Sequence, residues 1–421
     1  MIGAFKNQRP PFQIAYIENI DREKKQILIS YFTYFDDCNS FRLNGRDTLP
    51  GYQKTVTNTF NEKLFTYEKR SWIPFEKEDD ILTISLNGLM NENNLSKGTL
   101  FSKGISINKI LSAFTPQAKY LTDGSWLLMD RETKADDNAE HFYRYMQTHH
   151  PEQRCYFVLN KSSIDWQRLK KDKFNLVEFG SIEYERRLEK ASKIISSHLE
   201  AHINNYFGDN YDFSKKFIFL QHGITKDDLS QWFNTKKNLS GVITATIPEY
   251  NSIVEELNKY KIGKKETFLT GFPRHDKLLS GNIKGAKTIL IVHTWRHYIM
   301  GTQIGKGANT RELNKAFMTT NYAKAWYNLL HSQELKNLIK NLGYKVIFAP
   351  HPNIEPYLNE FNIPQYIDVW KSAISRESMQ SLFQQSNLLI TDYSSIAFEM
   401  AFLGKQTIYY QFDKEEFRSG I

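Results

Sequence analysis

From about residue 120 onward, short apolar runs alternate with helical stretches, and this alternation constrains the fold more than any other feature of the sequence. Short runs rich in β-branched and aromatic residues, each followed by a helical stretch, are typical of parallel strands covered by helices. We therefore expect a doubly wound α/β sheet. The predicted strands are Arg154–Asn160, Phe174–Gly180, Lys193–Ser197, Phe217–Gln221, Gly241–Ile247 and Thr267–Gly271, and the predicted helices are Ala135–Gln147, Ile164–Lys171 and Ile182–Lys190.

The alternation stops at a glycine-rich polar stretch, Ser280–Lys287, and then starts again. This pattern predicts two Rossmann-like halves joined by a hinge, with a cleft where the carboxyl ends of their strands face each other. The predicted strands of the second half are Thr288–Val292, Val346–Ala349, Tyr366–Val369, Leu388–Thr391 and Thr407–Tyr410, and its predicted helices are Asn314–Leu342 (interpreted as two), Glu377–Gln385 and Ile396–Leu403.

The first 115 residues have a different pattern, with short alternating runs separated by the turn signals Asn44-Gly45 and Pro50-Gly51. They predict a small β-sandwich, in which we identify no candidate catalytic residue. The predicted domains are thus 1–115, 116–285 and 286–421, with truncation at the C-terminal end left open. The predicted strands of the β-rich domain are Gln26–Phe32, Lys54–Phe60 and Ile81–Asn87.

Charge and cysteine content narrow the partners and the compartment. The net charge of +8 comes from scattered basic residues without a nucleic-acid-binding motif, so we expect no nucleic acid partner. Three explanations of the basic charge remain: an anionic substrate, an anionic membrane surface, or an ordinary solvated protein surface. No apolar run approaches the ~18 residues of a membrane span, and the first residues lack the apolar core of a signal peptide. We therefore expect a cytoplasmic protein whose two cysteines, Cys38 and Cys155, are free thiols.

Two histidines and one arginine follow predicted strands directly. His222 follows Phe217–Gln221, and His351 is held in a rigid loop between two prolines. Side chains at the carboxyl ends of parallel strands face the ligand-binding edge of the sheet. The structural alternative for His222 is a capping or core histidine. Arg296, which follows the first strand of the second half, could bind a phosphate in bidentate fashion, and the alternative is a surface arginine.

The segment that follows Leu388–Thr391 predicts an anion site. Asp392, Ser394 and Ser395 lead into the helix that begins at Ile396, whose free N–H groups and dipole suit a diphosphate. Ordinary serine N-capping is the alternative. Glu399, one turn into the helix, could reach a ribose hydroxyl or could be a solvated helix residue. Arg274 follows another strand, and pairing with Asp276 is its alternative role.

Taken together, these segments resemble the CDP-glycerol glycerophosphotransferase family, the teichoic acid and capsule polymerases. The resemblance covers roughly residues 120–421, and the order and spacing of the segments also match. Trp126–Asn138 and Tyr156–Trp166 extend it upstream. The matching segments are Gln221–Gly223, Thr270–Asp276, His293–Arg296, Pro350–Pro352 and Thr391–Ser395.

The resemblance implies a GT-B fold, CDP-glycerol or CDP-ribitol as the donor substrate, and transfer that needs neither a metal nor another cofactor. It implies that His222 is the general base and that His351 is a second essential histidine near the diphosphate. Ser394 and Ser395 would bind the donor phosphates. The donor site would also include Arg274, Arg296, Asp392 and Glu399. Two departures are Glu399, where the family usually has an aspartate-like acid, and the end of the chain at Ile421.

We therefore expect a transferase that moves glycerol phosphate or ribitol phosphate from a CDP-polyol to a hydroxyl of a growing teichoic-acid-like or capsular polymer, with release of CMP. We expect it to lie at the inner face of the cell membrane. The choice of polyol, lipid linkage of the acceptor and homo-oligomerisation stay open. Two alternatives remain: a GT-B glycosyltransferase that uses a nucleotide sugar, and a noncatalytic polymer-binding module.

Overall fold

The computed structural model describes residues 15–33, 39–60, 63–86, 104–113, 122–207, 216–236, 239–296, 299, 301, 312–372, 374–375 and 377–418. Cys38 and Asn87, the last residue of a predicted strand, lie outside these ranges; Cys155 is a buried free cysteine. The chain divides into two structural units, Met1–His222 with Lys226–Phe272, and Gly223–Thr225 with Pro273–Ile421. The three domain boundaries given above stay a prediction.

Two antiparallel four-stranded sheets form the beginning of the first unit, in the orders β1-β2-β6-β5 and β4-β3-β7-β8. Apolar side chains from both sheets and from one helix share a single core, which includes Ile27, Tyr31, Phe41, Leu82 and Ile107. The β-rich region is therefore confirmed. Its elements are β1 (Ala15–Asp21), β2 (Gln26–Thr33), β3 (Asn39–Leu43), β4 (Arg46–Thr48), β5 (Tyr52–Phe60), β6 (Lys63–Pro74), β7 (Ile81–Leu86), β8 (Ile105–Ser106) and α1 (Ile107–Ala113).

A seven-stranded parallel sheet forms the rest of the first unit, in the order β11-β10-β9-β12-β13-β14-β15. Separate apolar clusters cover its two faces. Burial on both faces explains why the strands are continuous apolar runs. The strands are β9 (Trp126–Met129), β10 (Cys155–Leu159), β11 (Leu176–Glu178), β12 (Lys193–Ser196), β13 (Lys216–Phe219), β14 (Leu239–Thr244) and β15 (Thr267–Leu269). The helices are α2 (Asn138–His149), α3 (Trp166–Lys171), α4 (Ile182–Lys190), α5 (Ala201–Asn204), α6 (Ser230–Asn234) and α7 (Ile247–Val254).

Several predicted boundaries were wrong by a few residues, each for a local reason. The strand predicted to end at Gln221 ends at Phe219, because Gln221 has a positive φ of 58° and leaves the extended conformation. Ile247 was predicted to end a strand but begins α7, since the Thr246 side chain caps that helix. The predicted start of α2 was three residues early, because Asp136 has a φ of 72°.

The second unit contains a five-stranded parallel sheet in the order β18-β17-β16-β19-β20. All five residues of its central strand β16 are buried. The strands are β16 (Thr288–Val292), β17 (Lys345–Ala349), β18 (Ile367–Val369), β19 (Leu388–Thr391) and β20 (Gln406–Tyr409). The helices are α8 (Pro273–Ser280), α9 (Asn321–Leu330), α10 (Gln333–Leu342), α11 (Met379–Gln385), α12 (Ile396–Phe402) and α13 (Lys414–Arg418), with 3-10 turns at Phe317–Thr319 and Glu355–Tyr357.

Both parallel sheets reverse their strand order once, between β9 and β12 in the first unit and between β16 and β19 in the second. In open α/β sheets, ligands bind beyond the carboxyl ends of the strands at such a reversal. The prediction of an α/β protein with two Rossmann-like sheets of the GT-B class is confirmed. Within the described ranges, no helix combines the length and the apolar character that crossing a membrane requires.

Candidate active site

The side chains that could perform chemistry follow the strands that flank the two reversals or the strands next to these. Arg131 follows β9, His198 follows β12 and His222 follows β13. In the second unit, His293 and Arg296 follow β16, His351 follows β17, and Asp392, Ser394 and Ser395 follow β19.

The turn that presents His222 is held by hydrogen bonds on three sides. The Gln221 side chain donates to the Ile243 carbonyl at 2.6 Å and to Glu249 Oε1 at 3.2 Å. The Gln221 carbonyl accepts from Asn138 Nδ2 at 2.7 Å. A non-glycine residue with positive φ persists only where its surroundings hold it. These contacts therefore fix the direction in which the chain enters His222.

A buried carboxylate anchors the helix that carries Asn138. Asp130 Oδ1 accepts from the Ala139 N–H at 2.9 Å, and Oδ2 accepts from those of Asp137 and Glu140 at 3.1 and 3.2 Å. Burial and the neighbouring Asp137 raise the pKa of Asp130 well above its ordinary value. The beginning of α2 is thus occupied by a protein group, and Asp130 has a positioning role.

His222 packs face to face on a second histidine. The rings of His198 and His222 have centroids 4.8 Å apart and an interplanar angle of 14°. His222 is an exposed residue, yet the atoms packed around its ring desolvate it, and this effect, followed by the neighbouring His198, lowers its pKa to about 4. His222 is therefore neutral at physiological pH and able to accept a proton.

Sequence reasoning missed His198, although the signal was present. His198 comes two residues after the end of β12, which was predicted, and so obeys the same rule that identified His222 and His351. The prediction included strand β12 but not the residues that follow it. The functional importance of a histidine in this position depends on which strand lies beside it, and only the observed order β12-β13 shows that.

His351 is held in one tautomer by the loop between its two prolines. The Asn353 N–H donates to His351 Nδ1 at 3.2 Å. Because a backbone N–H can only donate, the neutral ring carries its proton on Nε2. His351 is half-buried, and its ring centroid lies 6.0 Å from that of Trp295. The ring can thus offer an N–H donor to an anion.

Arg296 joins two carboxylates beneath the reversal of the second sheet. Its guanidinium donates to both oxygens of Asp413 at 2.8 and 3.1 Å and lies 2.8 Å from Asp392 Oδ2. Asp392 Oδ1 in turn accepts from the backbone N–H groups of Thr294 and Tyr393, both at 2.8 Å. Burial by itself lowers the pKa of Arg296, but Asp413 and Asp392 outweigh it and raise the pKa.

The structure therefore brings Arg296 and Asp392 together, as a buried pair with only 2% and 0% of their surfaces exposed. This finding rules out the surface-arginine alternative. Asp413, the third member, was missed, because a partner 117 residues away leaves no local signal. A direct phosphate contact by Arg296 stays a prediction.

Arg274 and Glu399 form a second buried pair, between α8 and α12. The Arg274 guanidinium donates to Glu399 Oε1, and His275 Nε2 lies 3.2 Å from Glu399 Oε2. Burial raises the pKa of Glu399, but His275 and Arg274 together outweigh it and hold the pKa below its ordinary value. Glu399 is 4% exposed and so is not the solvated helix residue of the alternative. Its contact with a ribose stays a prediction.

Ser394 and Ser395 lie at the beginning of α12, as predicted, but they differ in their bonding. Ser394 Oγ accepts a long hydrogen bond of 3.5 Å from the Ile396 N–H, whereas the Ser395 side chain makes no capping hydrogen bond. Ordinary N-capping therefore does not account for Ser395. A Cβ atom on Gly223 would lie 3.3 Å from Ser395 Oγ, so glycine gives this hydroxyl its room.

His293, in the same predicted segment as Arg296, belongs to the core. It is 1% exposed, and its Nδ1 lies 2.8 Å from the Tyr322 hydroxyl. Burial lowers its pKa to about 3, with smaller contributions from His351 and Arg296. Its burial and its contact with Tyr322 make His293 part of the core.

Comparison with known proteins agrees with this geometry. The sequence model of a family described as CDP-Glycerol:Poly(glycerophosphate) glycerophosphotransferase matches residues 118–420. The minor teichoic acid biosynthesis protein GgaB of Bacillus subtilis is 37% identical over 297 residues, which cover 69% of this chain and 32% of GgaB. The teichoic acid poly(ribitol-phosphate) polymerase of Bacillus spizizenii is 26% identical over 181 residues, 43% of this chain and 24% of that protein.

The matched part of this chain thus spans about a third of the first of these relatives and a quarter of the second. Among solved structures, a variant of the wall teichoic acid polymerase TagF superposes with a TM-score of 0.50 at 18% identity, over 75% of this chain and 77% of that one. At this identity, the likeness supports the fold alone.

Proposed function

The chain belongs to the CDP-glycerol:poly(glycerophosphate) glycerophosphotransferase family, and from that membership we propose that it transfers a polyol phosphate from CDP-glycerol or CDP-ribitol to a hydroxyl of a growing polymer. The polymer is of the teichoic acid or capsule type. In the reaction, the acceptor oxygen forms a bond to the phosphorus that carries the polyol, the bond from that phosphorus to CMP breaks, and CMP leaves.

The observation that carries this proposal is the presentation of one histidine by each parallel sheet, in two different states. His222 is neutral at pH 7, since its pKa lies near 4, and a neutral imidazole nitrogen can accept the proton of the acceptor hydroxyl. His351 is fixed with a proton on Nε2 and can donate a hydrogen bond to the departing phosphate. One ring serves as the base and the other stabilises charge on the leaving group.

We place the donor phosphates at the beginning of α12. The Ser395 hydroxyl, which makes no capping hydrogen bond, and the positive end of the helix dipole favour an anion there. The buried pairs Arg296–Asp392 and Arg274–Glu399 support the two sides of this segment. In this proposal the chain's own groups suffice, and neither a metal nor another cofactor is required.

The first test is donor choice. Purified protein is incubated with an acceptor polymer and CDP-glycerol, CDP-ribitol or a UDP-sugar, and nucleotide release is measured. We expect CMP from at least one CDP-polyol. UDP release from the sugar nucleotide without CMP from either polyol would favour the glycosyltransferase alternative, and release from none would favour a binding module.

The second test separates the two histidines. His222→Ala should lower the rate of CMP release by about 10²–10⁴-fold and leave CDP-polyol affinity nearly unchanged, because a base acts on the acceptor. His351→Ala should weaken both, since its contact exists before and during transfer. His150→Ala, at an exposed histidine that follows α2, is the matched control. Loss of calorimetric donor binding in His222→Ala but not in His351→Ala would reverse the two roles.

The net charge of +8 supports a peripheral position at an anionic surface, which both the inner membrane face and a phosphate polymer provide. Sedimentation with phosphatidylglycerol vesicles should decrease as salt rises from 50 to about 300 mM, because screening weakens such binding. Phosphatidylcholine vesicles are the control. Equal sedimentation with both lipids at all salt concentrations contradicts the membrane part of the proposal.

A further inference from the structure

The stacked pair of histidines beyond β12 and β13 has a support of its own. His198 is 3% exposed, and its backbone N–H donates to Ser196 Oγ at 3.0 Å. Arg131, which follows β9, donates from Nε to His198 Nε2 at 3.2 Å. The ring of His198 is thus fixed from the backbone and from a neighbouring strand end, independently of His222.

The contact with Arg131 determines the tautomer of His198. A guanidinium can only donate, so Nε2 is the acceptor and the neutral ring carries its proton on Nδ1. Among the described residues, no group makes a well-oriented hydrogen bond to this Nδ1, and Glu200 Oε1 lies 3.5 Å from it. The His198 ring is therefore held by Arg131 through Nε2, with Glu200 beside its other nitrogen.

We propose that His198 is a positioning residue for His222: Arg131 holds the His198 ring, and that ring holds the His222 imidazole by stacking in the orientation that accepts the proton of the acceptor hydroxyl. The inference rests on the proposed function, in which His222 is the base. It adds Arg131 and His198 to the residues on which the rate depends, although neither contacts the reacting atoms.

The charged groups around the pair fit this role. Arg131 and Asp137 face it from the segment between β9 and α2, and Glu200 faces it from the segment after β12. Among these, His198 and Arg131 disfavour a proton on His222, whereas Asp137 and Glu200 favour one. Removal of the His198 imidazole should therefore raise the pKa of His222 and move the acidic limb of kcat/KM to higher pH.

Two substitutions separate stacking from the chemistry of the ring nitrogens. His198→Phe keeps a flat ring of similar size, whereas His198→Ala removes it. Since misplacement of a reacting group by ~1 Å can cost about 10²-fold, we expect His198→Ala to lower kcat by about 10–100-fold with a nearly unchanged KM for the CDP-polyol. His198→Phe should have a kcat between those of the wild type and His198→Ala, because the stack remains but the hydrogen bond from Arg131 is lost.

A second measurement does not need activity. The histidine Cε1 positions are isotopically labelled, and the titration of the His222 ring is followed by NMR. The His222 signal is assigned by its absence from the spectrum of His222→Gln. Both variants should move this titration to higher pH. If the wild type releases no CMP but both variants still shift the His222 titration, the proposed function is wrong and the coupling of the two rings stands.

Three results overturn the inference. The first is a wild-type rate in His198→Ala. The second is a His222 titration that neither variant changes. The third is a loss of rate in His198→Phe as large as in His198→Ala, which would make a ring nitrogen, rather than stacking, the essential feature. His198→Phe also serves as the folding control, since it preserves the volume of the buried ring.

Discussion

Arg296 shows how burial changes the expected effect of a substitution. At a surface, Arg296→Ala would lose a phosphate contact worth about 1.5–3 kcal/mol. In the structure the same change leaves Asp392 and Asp413 buried without their cation, and removal of one partner of a buried pair costs about 3–5 kcal/mol. We therefore expect urea denaturation to show a loss of stability of that size. A variant as stable as the wild type but weak in donor binding would contradict this and favour direct phosphate contact.

Glu399 gives a pH-dependent prediction. Its pKa is lower in the folded protein than its ordinary value, so its ionised form stabilises the fold above the unfolded pKa of about 4.3, and this contribution is lost as pH falls through the folded pKa. At pH 7 the wild type should be more stable than Glu399→Gln, and the difference should shrink below about pH 4. Thermal melts of both proteins across this range measure it. A difference that is constant with pH would mean that the carboxylate charge adds nothing.

At the scale of single residues, the sequence predicts the position of a side chain in the fold better than it predicts the contacts of that side chain. His222, His351 and Ser395 were identified because each follows a recognisable strand, and strand ends in a parallel sheet share one edge. Asp413 was not identified, and the pairing of Arg274 with Glu399 was not predicted, since these partners lie 117 and 125 residues from Arg296 and Arg274. Pairing over such separations is decided by packing, which no local pattern records.

Among the elements, length and position decided which strands were recognised. The five-residue run Thr288–Val292 is buried throughout and was predicted without error. The four-residue strand β9, Trp126–Met129, was missed because it is short and contains no β-branched residue. It nevertheless lies inside its sheet, between β10 and β12. Helix α8 was not predicted; it begins at Pro273, in keeping with the preference of proline for the first helical position.

Helix α2 links the elements that present His222, and this link can be tested. Asn138, fully buried at its beginning, donates to the Gln221 carbonyl at 2.7 Å. Asn138→Ala should cost about 1–3 kcal/mol of stability, because that carbonyl loses its partner. It should also lower kcat, because the turn into His222 loosens. Thr148→Ala, at an exposed position of the same helix, is the control. An unchanged kcat together with the expected loss of stability would show that Asn138 does not act on His222.

At the scale of the whole molecule, the β-rich region is attached to the first parallel sheet by buried polar contacts. Lys54, 1% exposed, donates from Nζ to the carbonyls of Ile253 and Glu255 at 2.9 and 2.5 Å. These carbonyls lie at the end of α7, where the backbone lacks helical partners and the dipole favours a cation. Burial lowers the pKa of Lys54 to about 8, so it is still charged at pH 7.

Backbone contacts continue this attachment. The Thr55 N–H donates to Glu256 Oε2 at 2.7 Å, and the Thr57 N–H donates to the Asn258 carbonyl at 2.9 Å. The Arg70 guanidinium donates to the Lys261 carbonyl. A region attached by its own backbone should not unfold alone. We therefore expect calorimetry to show two transitions, one for each unit, with the β-rich region melting together with the first parallel sheet.

Lys54→Met tests this attachment, because it keeps the length of the side chain and leaves the carbonyls of Ile253 and Glu255 without a donor. The loss of about 1–3 kcal/mol should lower the midpoint of one transition only, by about 2–4 °C for each kcal/mol. Lys63→Met, at an exposed position of β6, should shift neither, and Arg296→Ala should shift only the other transition. A third, separate transition that responds to Lys54→Met alone would show that the β-rich region folds as an independent domain. In that case the contacts with segment 253–261 would connect two domains that unfold separately, rather than stabilise a single unit.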